Sequence, residues 1–411
     1  MPVTKLTTQC CICGGGPAGM MLGFLLARAG VEVIVLEKHA DFFRDFRGDT
    51  LHPSTMQIMH ELGLLDAFML LPHQEVHKLI AQFNGIEVQV ADFSHLPVPV
   101  PALSLLPQWD FLHFLLQQAA EYPSFSLVRE AGVYALIKKS GRVTGVKANI
   151  SSGELEIESS LVIGADGRSS DIRKLAGLAI VNTGAPIDVL WFRLSKTETD
   201  PQQTLGKFDH GRIMILIDRD TYWQCAYVII KGDFENIKAK GLGFFRKELS
   251  DISPFLSTRV QELKEWNDIK LLSVVIDHLQ TWYAEGVLCI GDAAHAMSPI
   301  GGVGINLAIQ DAVATANILF SYFLENKPIT PSVLAKVQRR REFPARIVQR
   351  VQVAIQNGMI KRRQNMTDQK LPILLSLLKN FPLLSRLPAR FVGIGIRPEH
   401  VRTPDIKSEH L

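Results

Sequence analysis

Cys10-Cys11-Ile12-Cys13-Gly14-Gly15-Gly16-Pro17-Ala18-Gly19 sets a short apolar run against a glycine-rich turn, and Met20 to Ala29 then continue as an apolar stretch closed by Gly30. The pattern predicts a buried strand, a tight turn and a helix, with a second strand over Val31 to Leu36 ending in Glu37. Gly14 permits the turn, Gly16 lets an anionic group approach the backbone, and Gly19 lets the helix lie close on the strand. An acidic residue about 20 positions on, here Glu37, accepts ribose hydroxyls in such a frame. The frame therefore points to a dinucleotide, and a carboxylate at this place disfavours a 2′-phosphate. It does not separate FAD from NAD.

A second element lies far downstream. Val287 to Ile290 read as a buried strand ending at Gly291-Asp292, and Gly301, Gly302 and Gly304 lead into a long helix starting near Asn306. A helix start offers free N–H groups and a positive dipole end, which suit an electron-rich ring edge, while Asp292 is placed to accept hydrogen bonds from ribityl or ribose hydroxyls. Taken alone this is an ordinary strand-turn-helix. Paired with the first element it predicts FAD. A third run, Leu161-Val162-Ile163-Gly164-Ala165-Asp166-Gly167-Arg168, with Arg173 following, reads by itself as a turn with a capped helix.

The three motifs, in this order and spacing over most of residues 8 to 345, resemble the single-component flavin monooxygenases of the para-hydroxybenzoate hydroxylase family. The resemblance implies that Gly14, Gly16, Gly19 and Glu37 hold the ADP half of FAD. It implies that Asp166, Gly167 and Arg173 serve FAD and the transient approach of NADH or NADPH, and that Asp292, Pro299, Gly302 and Gly304 hold the ribityl and pyrophosphate region. It also puts Arg47 on the phosphate and ribityl region and Gln108 near the cofactor. The implied activity is insertion of one oxygen atom from O2 into an apolar or aromatic small molecule through a flavin C4a-hydroperoxide. The implied fold is a mixed α/β Rossmann-type FAD-binding domain with an inserted antiparallel-sheet substrate domain and a helical C-terminal tail.

The bulk composition fits. A length of 411 residues accommodates two domains, and 47% hydrophobic with 21% charged residues is ordinary for a compact enzyme. A formal net charge of +3 gives no electrostatic case for nucleic acid. Cys10, Cys11, Cys13, Cys225 and Cys289 lack the spacing of a zinc site and mostly fall in apolar runs, so buried thiols in a reducing, cytoplasmic compartment are expected. No signal peptide, membrane span or metal motif is read.

The expected cofactor domain comprises residues 1–75, 105–180 and 280–340, the substrate domain residues 76–104 and 181–279, and the C-terminal helical segment residues 341–411. Strand-like runs over Asp188 to Leu194, Arg212 to Ile217, Tyr222 to Ile230 and Ile269 to Val275 predict a mostly antiparallel sheet walling a pocket. Trp191, Phe192, Tyr222, Trp223 and Tyr227 are candidates to line it, the alternative for each being plain core. Ala308, Ala312 and Ala316 give the downstream helix a small-residue face. The tail carries Arg339 to Arg341, Lys361 to Arg363 and the leucine- and proline-rich run from Leu371, which suggests contact with a membrane surface or a partner subunit. Its alternative is packing on the cofactor domain.

His52, a few residues after Arg47, is the candidate acid-base group, while His295 in the Gly-Asp-Ala-Ala-His run is expected to order the turn. A halogenase would carry a Trp-x-Trp-x-Ile-Pro motif, which is absent from the sequence. An FAD-dependent reductase of the geranylgeranyl reductase type and a non-catalytic FAD-binding module are the competing functions.

Overall fold

The computed structural model describes residues 3–43, 50–201, 204–364 and 371–407, without the side chains of 361–364. The buried tetrapeptide Cys10 to Cys13 ends the strand Val3–Cys13, which lies between the parallel strands Gly153–Gly164 and Val33–Leu36. Phe125–Val128 and Val287–Cys289 extend this layer on its two sides, again in parallel. Parallel strands buried on both faces read as continuous apolar runs, which is why Leu161 to Ile163 and Val287 to Ile290 were legible. Gly153–Gly164 also pairs antiparallel with Arg142–Ile150, so its first half belongs to a meander and its second half to the parallel core.

The helix Pro17–Arg28 packs on this sheet together with the helix Val303–Leu324. Ala308, Ala312 and Ala316 are all buried on the latter, so the small-residue face meets the core as expected. Among the described residues it is also the one helix long and apolar enough to cross a membrane, but 67% of its most apolar stretch is buried within the protein.

A second sheet of seven strands joins two distant segments. Lys270–Leu272, Ile187–Ser195, Tyr222–Ile230, Arg212–Asp218 and Leu205–Asp209 follow one another antiparallel, and Lys78–Phe83 with Ile86–Asp92 complete it. The junction is a parallel pairing, Leu205 opposite Ile80 through Phe208 opposite Phe83. The strand-like run at Ile269 to Val275 forms only the short strand Lys270–Leu272. Helices Phe234–Ala239 and Leu242–Ile252 cover one face of this sheet, burying Trp223, Cys225 and Tyr227 with Phe192 in a separate core. The other face is left toward the first sheet.

The tail is part of the body. Helix Pro331–Gln364 packs on Val303–Leu324, and Ile373–Asn380 and Arg386–Gly393 pack on strand Ile86–Asp92. Arg28 donates to the carbonyls of Thr403 and Pro404 at 2.9 and 3.1 Å, tying the end of the chain to the first helix.

Candidate active site

Three strand ends converge at the glycine turn. Gly14 donates to Leu36 O at 2.7 Å and Ala165 donates to Cys13 O at 2.8 Å, so the loops after all three strands open on one side. Gly14 sits at φ +114°, and a Cβ there would lie 2.3 Å from the Ala165 oxygen. A Cβ on Gly19 would come within 1.9 Å of the Gly14 oxygen, which is the close helix-strand approach required of it. Gly16 behaves differently: nothing lies within 4 Å of its Cβ position, leaving the backbone open to a ligand above the helix that begins with Pro17. Glu37 borders the same space, accepting from Gly15 N at 2.9 Å and His39 N at 3.0 Å.

Asp166 faces this space from the next strand. Its Oδ2 accepts from Asp171 N at 2.7 Å and Ile172 N at 3.0 Å, holding the turn. Its Oδ1 is buried with no hydrogen-bond partner in the protein, and burial raises its pKa. A lone buried carboxylate oxygen is costly unless a ligand donor meets it. Gly167 and Arg168 line the space beside it.

The downstream element closes the other side. A Cβ on Gly291 would lie 3.1 Å from Ala18 Cβ and 3.3 Å from Ala308 Cβ, so the strand end, the first helix and the long helix meet through small residues. Asp292, Pro299, Gly302 and Gly304 all line the cavity. Gly302 caps the helix Val303–Leu324 in the left-handed conformation at φ +62°, with Thr50 so close that a Cβ would meet it at 2.8 Å. Asn306, marked in the sequence only as the neighbourhood of a helix start, fixes the segment beside it. Its Oδ1 accepts from His52 N and Thr55 Oγ1, each at 2.7 Å, and its Nδ2 donates to Thr50 O at 3.0 Å.

These loops and the free face of the second sheet enclose one cavity of about 1390 Å³. A single small-molecule pocket usually spans about 300–1,000 Å³, so this space exceeds the needs of one ligand. Strand alternation decides what faces it: Val189 and Trp191, Ile213 and Ile215, and Gln224, Ala226 and Val228 point inward, while Leu371, Leu375 and Leu378 of the tail complete the wall. Gln108, at the start of helix Gln108–Ala120, also lines it.

Several sequence expectations are corrected here. Trp223 is fully buried on the opposite face, against Phe255, and Phe192 and Tyr227 face that way too. Tyr222 lies outside the cavity, its ring 5.1 Å from the Arg193 guanidinium. His52 is buried and does not line the cavity; its ring nitrogens lie 2.8 Å from Val392 O and 3.0 Å from Gly301 O. Burial outweighs these carbonyls and lowers its pKa to about 4, so it is a brace between tail and glycine turn. Arg173 is likewise absent from the lining. Its guanidinium is buried against Asp277, donating to the two carboxylate oxygens at 3.2 and 3.1 Å, which leaves it no reach toward a nicotinamide cofactor. Arg341, read as part of a basic surface cluster, is fully buried between Asp311 and Glu399. Arg47 lies outside the described residues.

Comparison with known proteins agrees with this geometry. A family model for an FAD binding domain matches residues 7–351. The chain is 31% identical to 6-methylpretetramide 4-monooxygenase of Streptomyces rimosus, over 86% of this chain and 84% of that protein. Among solved structures, the anhydrotetracycline hydroxylase OxyS from Streptomyces rimosus superimposes with a TM-score of 0.76 at 22% identity, covering 95% of this chain and 77% of that one. PqsL of P. aeruginosa in complex with 2-aminobenzoylacetate gives a TM-score of 0.75 at 20% identity, covering 88% of this chain and 100% of that one. With the glycine loops, the capped helix and the sheet wall of the cavity all inside the matched span, the chain belongs to the FAD binding domain family and is an FAD-dependent monooxygenase of the aromatic hydroxylase type.

Proposed function

We propose that this monooxygenase uses NADH or NADPH and O2 to hydroxylate a planar, multi-ring aromatic compound. The observation that carries the reading is the single cavity in which nucleotide loops and an apolar sheet face each other. The residues present fit FAD: the open backbone at Gly16, the partnerless Asp166 Oδ1 and the glycine-capped helix start are each suited to a polar or anionic part of it. Gly14, Gly16 and Glu37 would hold the ADP half, with Gly19 keeping helix and strand close enough to form the loop. Asp292, Pro299, Gly302, Gly304 and Gln108 would hold the flavin half. Bound FAD supplies the redox chemistry, taking two electrons from the nicotinamide and passing them to dioxygen.

This chain's own residues do the rest. The start of Val303–Leu324 directs N–H groups and a positive dipole end into the cavity, which favours developing negative charge. Val189, Trp191, Ile213, Ile215, Ala226 and Val228 exclude water and supply a flat apolar wall. Asp166, Gly167 and Arg168 border the cavity where a reductant would approach; Arg173 is removed from that role by Asp277. A relative named for 6-methylpretetramide and a structural neighbour named for anhydrotetracycline support a multi-ring compound, as does a volume that accommodates more than one ligand. All five cysteines are buried and free, which supports a reducing compartment such as the cytoplasm.

Peripheral membrane contact through the tail is part of the proposal. Ile373, Leu374, Leu383 and Leu387 are 83%, 68%, 69% and 68% exposed. Residues 371–397 carry Lys379, Arg386, Arg390 and Arg397 and no carboxylate, a charge pattern that suits an anionic surface.

The test is incubation of the FAD-loaded enzyme with NADPH or NADH, ¹⁸O2 and a panel of multi-ring phenols. Substrate-stimulated oxidation with one labelled oxygen in the product is expected. Nicotinamide oxidation that reduces the substrate without label would make the protein a reductase.

A further inference from the structure

Gln224 is the one amide on the inward face of strand Tyr222–Ile230, whose other inward residues are Ala226 and Val228. It is 5% exposed and pairs across the ladder with Ile217, another cavity-lining apolar residue. Arg219 Nε donates to its Oε1 at 3.1 Å. A guanidinium only donates, so the atom facing it is the oxygen, and the amide NH2 is left to the cavity that the residue lines. Among the described residues no group accepts those hydrogens.

The amide nitrogen is not sealed in the core but borders the cavity, where it is an uncommitted donor set among apolar side chains. Arg219 holds the amide oxygen and leaves the nitrogen available to a ligand that enters the cavity. The cation behind it polarises the amide and strengthens the outward N–H as a donor, so an oxygen bearing negative charge gains most.

We propose that Gln224 is a substrate-positioning residue, whose NH2 donates to a carbonyl or phenolate oxygen of the planar ligand and so selects oxygenated rings over bare hydrocarbon ones. The proposal rests on the hydroxylase reading for the existence of an aromatic ligand, but it concerns binding and not turnover. Trp191, two positions before Arg193, which pairs with Gln224 on the neighbouring strand, offers an aromatic surface on the same wall. Donor and ring together would fix both the plane and the rotation of a flat molecule.

The experiment is calorimetric titration of FAD-loaded enzyme with two soluble probes, anthraquinone-2-sulfonate and anthracene-2-sulfonate, which differ in the ring carbonyls. Wild type is expected to bind the quinone about two- to tenfold more tightly. Gln224→Glu keeps an oxygen for Arg219 and so preserves the turn, yet presents an acceptor to the cavity. It is expected to reverse the preference with an unchanged thermal midpoint. Gln224→Met, which removes the donor at similar length, is expected to bring the two probes to parity. If Gln224→Glu keeps the wild-type preference, or if both probes weaken equally in both variants, the amide only anchors the hairpin and the proposal is overturned. Failure of ¹⁸O incorporation would strike the hydroxylase reading and leave the probe preference as a separate result.

Discussion

His295 Nε2 lies 2.5 Å from Asp311 Oδ2, with both side chains buried. The same oxygen accepts from Gly291 N at 3.0 Å, Asp311 Oδ1 accepts from Arg341 Nε at 3.0 Å, and Arg341 continues to Glu399 at 3.2 Å. Four segments far apart in sequence are thereby locked around the turn that carries Asp292. Burial pulls the His295 pKa down, but Asp311 outweighs it and the result is a raised value; Asp311 is driven upward by burial and ends lowered by His295 and Arg341.

A pH dependence follows from those directions. A raised imidazole contributes stability that is fully present below its unfolded pKa of about 6.5 and is lost as pH rises through the higher folded value. Asp311 contributes above its unfolded value of about 3.9 and loses that contribution as pH falls through its depressed one. The advantage of wild type over His295→Gln, read from urea midpoints, is therefore expected to shrink from about pH 6 to about pH 9. An advantage that grows over that interval would refute the pairing.

Arg173→Met should destabilise the fold and leave the nicotinamide requirement of the remaining folded enzyme unchanged. Removing one partner of a buried pair costs about 3–5 kcal/mol because Asp277 is left charged and unpaired. Adding Asp277→Leu should recover much of this loss in denaturant unfolding. A selective rise in the apparent KM for NAD(P)H at wild-type stability would restore the cofactor role.

Asp292→Ala should weaken FAD binding by about 1.5–3 kcal/mol, roughly ten- to 150-fold in Kd, because a charged acceptor is removed from the cavity wall. Titration of apoprotein by flavin fluorescence quenching measures it. Unchanged affinity would show that the carboxylate does not touch the cofactor.

Removal of residues 365–411 should give a chain that aggregates or fails to retain FAD, since Arg341 loses Glu399 and the cavity loses Leu375 and Leu378. A soluble, FAD-bound truncation would make the tail a separable appendage.

The full-length protein is expected to co-sediment with anionic vesicles and not with neutral ones. The double variant Ile373→Ser, Leu383→Ser changes two exposed side chains outside the cavity lining and should reduce the sedimented fraction while FAD content holds. Equal sedimentation of wild type and variant, or none by either, would end the membrane proposal.

The nucleotide loops were legible because their requirements are local. A left-handed Gly14, a close approach at Gly19 and a carboxylate at Glu37 are demanded within one strand-turn-helix-strand window, and the strand Tyr222–Ile230 shows in its apolar, aromatic-rich run. Tertiary packing decided what a window cannot contain. Period-two alternation defines two faces and does not say which is covered; helix Leu242–Ile252 covers the face of Trp223 and so leaves Gln224 and Trp191 to the cavity. Arg173 and Asp277 are 104 residues apart, and Arg341 and Asp311 are 30 apart on different helices. In sequence each looks like a solvated charge, because desolvation and ion pairing exist only once the chain has brought the partners together and removed the water between them.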